Sequence, residues 1–452
     1  MSVFSLISRW KFLSLFIVLL LVACAPKPQI GLEIDPKKLG RHYYESIDAT
    51  RRLATLNDDE EEALLKDGTI TQYDLEKFQL IYMIARTYHI ENIKQSLALK
   101  AAWKAIREEV AQNGKVSDRA YEAYAIDGFL SSLDPYSHFY DLKTNYKKMS
   151  ELEIGAAQFG AVMNKVPLGL QVIGLKREGI AYSVGLRVAD IITTANNKKL
   201  SGLDEILATK EVVNFYSNQM RLQIIRDGHE IDQVIIPRQK RKALKALSSY
   251  IEDNIAVIRL SDFDDQAAQN MKKVMSDAFK ETKGSLAGII LDLRANPGGD
   301  LIEAIGILDL FLPKGSSIGE MVGKHEKRQL IASDIDLSRD LPLVILQDAG
   351  SASASELVAG ALKINGRATI MGGRSYGKDV AQSVIPMSDK SGMIVLTTSR
   401  YFLPLGESVK GGLLPDIHVD DDPDLYGDEQ MKAAFDAIQK IIDDRKQAAL
   451  GS

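Results

Sequence analysis

From Asn254 onward the chain repeats one arrangement, a continuous apolar run, a turn and a helix, and that repeat leaves few folds open. Ile255-Ala-Val-Ile-Arg-Leu260 reads as a strand, Gln266 to Thr282 as a helix, and Leu286-Ala-Gly-Ile-Ile-Leu-Asp-Leu293 as a second strand. Arg294-Ala-Asn-Pro-Gly-Gly299 then precedes a helix over Leu301 to Phe311, and Leu343-Val-Ile-Leu346 precedes helical Leu357 to Leu362. Strands alternating with helices imply mostly parallel pairing in an α/β layer.

Two short stretches carry the chemistry of this region. Asp348-Ala-Gly-Ser-Ala-Ser-Ala-Ser-Glu356 is a small-residue turn between a strand and a helix. Such a turn can present a serine hydroxyl at a helix N-terminus, where free N–H groups can stabilise a developing oxyanion. The second stretch, Gly372-Gly-Arg-Ser-Tyr-Gly-Lys-Asp-Val-Ala-Gln382, supplies a lysine. Each has a plainer meaning when taken alone. Serine is a preferred cap residue, so Ser351 and Ser355 read as turn and N-cap positions, and Ser353 by itself would read the same way. Lys378 by itself would be a solvated lysine.

Together the stretches resemble the C-terminal processing peptidases, or tail-specific proteases, a serine–lysine family with Ser-Ala-Ser-Ala-Ser-Glu and Gly-Lys-x-x-x-Gln segments. The resemblance implies Ser353 as nucleophile, Lys378 as base and Gln382 as its partner. Leu293-Arg-Ala-Asn-Pro-Gly-Gly299 is similar to a family hallmark whose glycine N–H joins the N–H after the nucleophile in the oxyanion hole. That implies Gly298 or Gly299, with Ala354. A Gly pair before a helix also fits a tight turn or a phosphate cradle, but no Gly-x-x-x-x-Gly-Lys-Ser/Thr or Gly-x-Gly-x-x-Gly pattern supports the latter. Asp379 replaces the family's glycine after the lysine. Turned inward, its carboxylate would hold Lys378 protonated; turned outward, it would sit in solvent.

The N-terminus carries Arg9 and Lys11, the apolar run Phe12 to Leu21, and Leu21-Val-Ala-Cys24. This is a secretory signal, too short for a bilayer span of about 20 residues. Leu-Val-Ala-Cys looks like a bacterial lipobox, which implies cleavage before Cys24, a lipid on its thiol and, with Ala25 next, sorting to the outer membrane. An ordinary signal that removes the cysteine is the alternative. Cys24 is the only cysteine of 452 residues, so the exported protein has no internal disulfide and no multi-cysteine metal site.

With 45% hydrophobic and 26% charged residues the remainder is ordinary globular protein, long enough for about three domains. A net charge of −5 and no aromatic-interleaved basic patch argue against nucleic acid; Arg238-Gln-Lys-Arg-Lys242 is a short, solvated connector. Arg41 to Lys147 reads as helical, with apolar residues sharing a face over Tyr73 to Ile84 and Ile93 to Val110. Its end, Asp127-Gly-Phe-Leu-Ser-Ser-Leu-Asp-Pro-Tyr-Ser137, is similar to the stretch preceding the PDZ domain in the same peptidases; Asp134-Pro135 alone would mean a turn.

Short β-like runs follow, beginning at Phe159, with Asp227-Gly228 as a turn signal. Ala181-Tyr-Ser-Val-Gly-Leu-Arg-Val-Ala-Asp190 resembles a PDZ segment but lacks its Pro and has Ala189 for Gly. PDZ domains pair a peptide as an added strand and hold its terminal carboxylate in backbone N–H groups. The matching loop is Gln158-Phe-Gly-Ala161; a plain glycine-containing strand entry is the other meaning. Strand-like sequence resumes after Gln382 through Phe402 and Pro404-Leu-Gly406. The tail from Asp420 begins acidic and becomes an amphipathic helix with Met431, Ala434, Phe435, Ile438, Ile441 and Ile442 on one face, for its own domain or for a second copy.

The fold class expected is therefore α/β in an α+β multidomain chain. It comprises signal 1–23, tether 24–40, helical domain 41–150, PDZ domain 151–238, a ClpP/crotonase-like protease core 239–425 and a C-terminal helix 426–452. The resemblance implies a serine endopeptidase of the bacterial periplasm, lipid-anchored, acting on exported proteins with apolar C-termini, without cofactor or metal. An adaptor lipoprotein remains open as a partner. A silent peptide-binding scaffold and a histidine-dependent esterase using one of His42, His89, His138, His229, His325 or His418 are the rivals.

Overall fold

The computed structural model describes residues 72–94, 97–98, 100–102, 104–106, 121–141, 155–203, 205–214, 219–237, 245–333, 336–387, 392–420 and 428–450. The signal segment, Cys24, the tether and the basic run at 238–242 lie outside them, as does much of the helical region. Two compact units divide the chain, and they do not follow chain order. The smaller takes the described residues before 149 together with 322–326 and 380–400; the larger takes the remainder. Residues 380–400, expected within the protease core, thus belong with the helical region.

In the smaller unit, α1 (Gln72–Tyr88) and α2 (Tyr121–Ser131) precede strand β1 (His138–Asp141). Ile81, Ala85 and Tyr88 from α1 meet Ile126, Phe129 and Leu130 from α2 in one apolar cluster. The larger unit opens with a helical stretch, 155–159, so the run expected to start a strand at Phe159 starts it at Ala161 instead. Strands β2 (Ala161–Val166), β3 (Gly169–Leu175), β4 (Ile191–Ala195), β5 (Met220–Arg226) and β6 (His229–Ile236) are consecutive antiparallel neighbours. The β5–β6 turn is Asp227-Gly228, both at positive φ (51° and 77°), the left-handed pair a two-residue hairpin requires. Helix α3 (Glu205–Val213) adds Ala208, Val212 and Val213 to a core of its own with Phe159, Leu170, Val172 and Ile192.

The α/β layer follows the expected alternation. Strand β7 (Leu247–Glu252) pairs antiparallel with β8 (Ile255–Leu260). Helix α4 (Ala267–Glu281), β9 (Gly288–Asp292), α5 (Leu301–Asp309), β10 (Leu343–Gln347), α6 (Ala354–Ile364) and β11 (Thr369–Gly372) come next. The hairpin β12 (Val380–Pro386) and β13 (Gly392–Phe402) belongs mainly to the smaller unit, where Ile385, Ile394 and Leu396 join the helical cluster and β1 pairs with β13. Strand β14 (Ile417–His418) and helix α7 (Glu429–Leu450) finish the larger unit. Its sheet runs β14-β11-β10-β9-β8-β7, parallel from β14 to β8.

Alternate strand residues face opposite layers. Ile258, Ile289, Leu291 and Ile345 pack under α4, α5 and α6, while Val257, Ile290, Val344, Leu346 and Met371 pack under Ala434 and Ile438 of α7. Burial on both faces is why these strands read as unbroken apolar runs. The tail helix's apolar stripe is accordingly spent on its own sheet. Pro404-Leu-Gly406, expected as strand, is a single 3-10 turn with Leu405 at φ 64°. Pro404 has no N–H to give a ladder, and the Gly406 amide closes back on the Leu403 carbonyl at 3.1 Å.

Candidate active site

The parallel sheet ends its central strands β9 and β10 side by side, so the loops that follow them, 293–300 and 348–353, leave the same edge. Those loops are laced together. The Asn296 carbonyl accepts from Ala352 N (3.0 Å) and Ser355 Oγ (2.9 Å), and Ser351 Oγ donates to the Leu293 carbonyl (2.8 Å). Asp348 Oδ1 accepts from Ala295 N and Gly350 N, both at 2.9 Å. The outer serines are therefore stitches between loops. The N-cap expected at Ser355 or Ser351 is Ser353 itself.

Ser353 sits at φ 55°, ψ −113°, outside the regions open to ordinary residues, a conformation that costs about 1–3 kcal/mol and persists only where its surroundings impose it. Glu356, one turn into α6 and fully buried, imposes it. Its Oε2 accepts from Ser353 N and from Lys378 N, both at 2.9 Å, and its Oε1 accepts from Gly377 N (2.7 Å) and the Ser375 hydroxyl. Burial pushes the Glu356 carboxyl above its usual range, and these four donors pull against that shift. Tyr401 makes a second tie. Its hydroxyl forks between the carbonyl oxygens of Lys378 (2.6 Å) and Ser353 (3.0 Å), and burial raises the phenol far above its ordinary range, so it stays a donor. Ser353 and Lys378, 25 residues apart, are thereby brought together through one carboxylate and one phenol. Both are half-buried, and so is Asp379.

Gly298 presses on the serine. A Cβ built on it would lie 2.9 Å from Ser353 Cβ, 2.9 Å from the Ala352 carbonyl oxygen and 3.1 Å from Ala354 N. Only glycine allows that approach, and φ 109° demands it as well. The Gly298 amide already donates to Asn296 Oδ1 (2.9 Å). Gly299 bridges to Phe263, and Ala354 N lies in the first turn of α6, whose amides have no intrahelical acceptor.

Gln382 lies on β12 in the smaller unit, where its Nε2 is 3.2 Å from Thr397 Oγ1. Of the loop 158–161, Phe159 is buried in the antiparallel layer's core and Gly160 has φ 73°. The Gly160 amide donates to the Ala156 carbonyl (3.0 Å) and its carbonyl accepts from Lys176 N (2.7 Å), so both of its backbone groups are engaged within the layer. Cys24 lies outside the described residues. Among the described residues no group of three or more His, Cys, Asp or Glu is placed to hold a metal ion, and no helix is long and apolar enough to cross a membrane. Sequence reasoning missed Glu356, Tyr401 and Ser375. For Glu356 a signal existed, since Ser353-Ala-Ser-Glu356 has capping-box spacing.

A strained serine at a helix N-terminus, pressed by glycine backbone and tied to a lysine, is suited to acyl transfer, and it places the molecule among the serine peptidases. Residues 254–419 match the model of peptidase family S41. The chain is 31% identical over 337 residues to the carboxy-terminal-processing protease of Bartonella bacilliformis, covering 73% of this chain and 76% of that one. It is 32% identical over 311 residues to a probable CtpA-like serine protease of Staphylococcus aureus, covering 67% of this chain and 61% of the relative. Among solved structures, the photosystem II D1 C-terminal processing protease shares the fold, with a TM-score of 0.59 over 79% of this chain and 95% of that one at 21% identity. The protein belongs to peptidase family S41 and is a serine protease of the carboxy-terminal-processing kind.

Proposed function

We propose that the protein cleaves exported proteins near their C-termini by a serine–lysine mechanism, with Ser353 as nucleophile and Lys378 as base. The observation that carries this reading is the shared Glu356 Oε2, which holds the backbones of both residues at one point. Ser353 Oγ attacks the scissile carbonyl carbon as its proton passes to Lys378 Nζ. The carbonyl oxygen becomes an oxyanion that accepts from Ala354 N and, since the Gly298 amide is already engaged, from Gly299 N. Collapse breaks the C–N bond, the leaving amine takes the proton from Lys378, and water then releases the acyl group from Ser353 by the same steps. A lysine works as a base only when neutral, so its ordinary value of about 10.4 has to fall to roughly 7–8. Gln382, a neutral partner, suits that better than a carboxylate.

The antiparallel layer built from 155–237 reads as a PDZ-type domain that takes the substrate's C-terminal residues as an added strand, with the backbone of 158–161 receiving the carboxylate. Cys24 would tether the mature protein by lipid to the periplasmic side of the envelope. The test uses the full chain in detergent with an unfolded peptide ending in Ala-Ala. The wild type should cut it, cut the C-terminal amide more slowly, and lose turnover in S353A and in K378A. A wild type that binds the peptide without cutting it, or a K378A variant that still cuts, defeats the mechanism.

A further inference from the structure

Ser353 and Lys378 stand on different loops of the larger unit, and each is gripped through its main chain at both ends. At the amide ends the grip is the Glu356 carboxylate described above; at the carbonyl ends it is the Tyr401 hydroxyl. The two arms of that hydroxyl differ in weight. The Ser353 carbonyl already accepts from Glu356 N (2.9 Å) and Leu357 N (3.0 Å) in the first turn of α6, and the phenol reaches it at 3.0 Å. The Lys378 carbonyl receives the shorter arm, 2.6 Å. One hydroxyl proton cannot serve both equally, so it lies mainly along the arm to the lysine, with the serine carbonyl as the lesser acceptor.

The path of the chain explains why the lysine needs that hold. Lys378 lies one residue before the chain leaves the larger unit, and Tyr401 is where it returns. The Tyr401 amide donates to the Asp379 carbonyl at 3.0 Å, so its backbone takes one carbonyl and its side chain the preceding one. The tyrosine is fixed in its turn, 3% exposed, in the apolar cluster that also holds Leu357, Val358 and Leu403. Burial, with the negative charges of Glu356 and Asp379 adding to it, keeps the phenol protonated through the range of about pH 7–8 in which a lysine base works, so the donor does not titrate away as the base becomes neutral.

We propose that Tyr401 is a positioning residue for the peptidase reaction: through one carbonyl of each residue it orients the main chain from which Lys378 and Ser353 project, and so fixes where the base stands relative to the nucleophile. This rests on the serine–lysine reading above. Tyr401 acts through the two carbonyls and not on the reacting atoms. Glu356 by itself leaves each residue free to pivot about its amide; a second tie at the carbonyl turns that pivot into an orientation. A slackening of about 1 Å costs on the order of a hundredfold in rate, because attack and proton transfer both need short, aligned distances.

The test compares wild type and Y401F as full chains in detergent on the Ala-Ala peptide, below the melting temperature of each, with S353A and K378A as controls. Phenylalanine keeps the ring in the core and removes only the hydroxyl. Y401F should lower kcat between about tenfold and a hundredfold, with KM within about twofold. A fluorophosphonate, which reads serine activation without needing the substrate's tail, should label Y401F more slowly by the same factor. 3-Fluorotyrosine at position 401, a stronger donor of nearly the same shape, should keep both kcat and labelling rate, and it carries the test if Y401F does not melt cooperatively. The proposal fails if folded Y401F retains wild-type kcat, if its loss lies in KM, if labelling is unaffected, or if the fluorotyrosine enzyme loses turnover. If K378A remains active, the serine–lysine reading has failed instead; a dead K378A beside an unaffected Y401F sinks the positioning role alone.

Discussion

At the scale of single residues, buried carboxylates do most of the positioning in this site, and their environments pull in different directions. Asp348 is enclosed where the Ala295 and Gly350 loops meet, and burial raises its carboxyl from an ordinary value of about 4 to about 6. A folded value above the unfolded one means that the neutral form is favoured in the fold. Asp348's contribution is therefore fully present below pH 4 and is lost as pH rises through 6, at a cost of about 3 kcal/mol at neutral pH, by the usual 1.36 kcal/mol per unit. Ala295 N, Gly350 N and Ser351 Oγ all donate to Asp348 Oδ1, an atom that asparagine keeps. D348N should unfold at higher temperature than wild type at pH 7.5 and match it near pH 4, which thermal melts at the two pH values would check. Asp292 and Asp428 have the opposite sign. Arg294, bidentate to both Asp292 and Asp428, holds those two low, so their contributions are lost as pH falls through the folded values.

At the scale of elements, α7 shows why the C-terminal segment cannot be trimmed without consequence. Ala434 and Ile438 are fully buried against Val257, Ile290 and Val344, and Gly288 on β9 makes room for Ile438: a Cβ there would come within 2.7 Å of its Cδ1. I438A should cost about 2–5 kcal/mol, the range for removing a buried branched side chain, read from the denaturant midpoint. Because Asp428 caps the start of α7 and also grips Arg294, just before the glycine pair Gly298-Gly299, helix and loop are tied at one residue. If I438A lowers stability by less than about 1 kcal/mol, the helix is not the sheet's second cover.

At the scale of the larger unit, the antiparallel layer touches the loops 293–300 and 348–353 through backbone. Gly174 at the end of β3 sits so close that a Cβ on it would lie 2.9 Å from Gly350 Cα and 3.3 Å from Ala295 Cα. Lys176 Nζ donates to the Ser261 carbonyl (3.2 Å), and Glu178 and Arg177 pair with Arg259 (2.7 Å) and Asp428 (3.4 Å). A side chain at 174 would push on both loops that carry the proposed nucleophile and oxyanion hole. G174V should therefore depress kcat on the order of a hundredfold, since displacements of about 1 Å cost that much. A G174V enzyme with unchanged kcat would show that the contact does not shape the site.

The alternation of apolar runs and helices determined the parallel sheet by itself, because strands buried on both faces and helices buried on one leave period and composition in the sequence. The motif spacing placed Ser353, Lys378 and the glycine pair in the loops that the sheet's edge presents. Tertiary structure alone decided what joins them. Glu356 and Tyr401 act through hydrogen bonds to residues up to 48 positions away, and such contacts leave no periodicity to read. It also decided that residues 380–400 fold with the N-terminal helices and that the tail's apolar stripe covers the chain's own sheet. Hydrophobic pattern says that a face must be buried; which partner buries it is set by the packing of the whole chain.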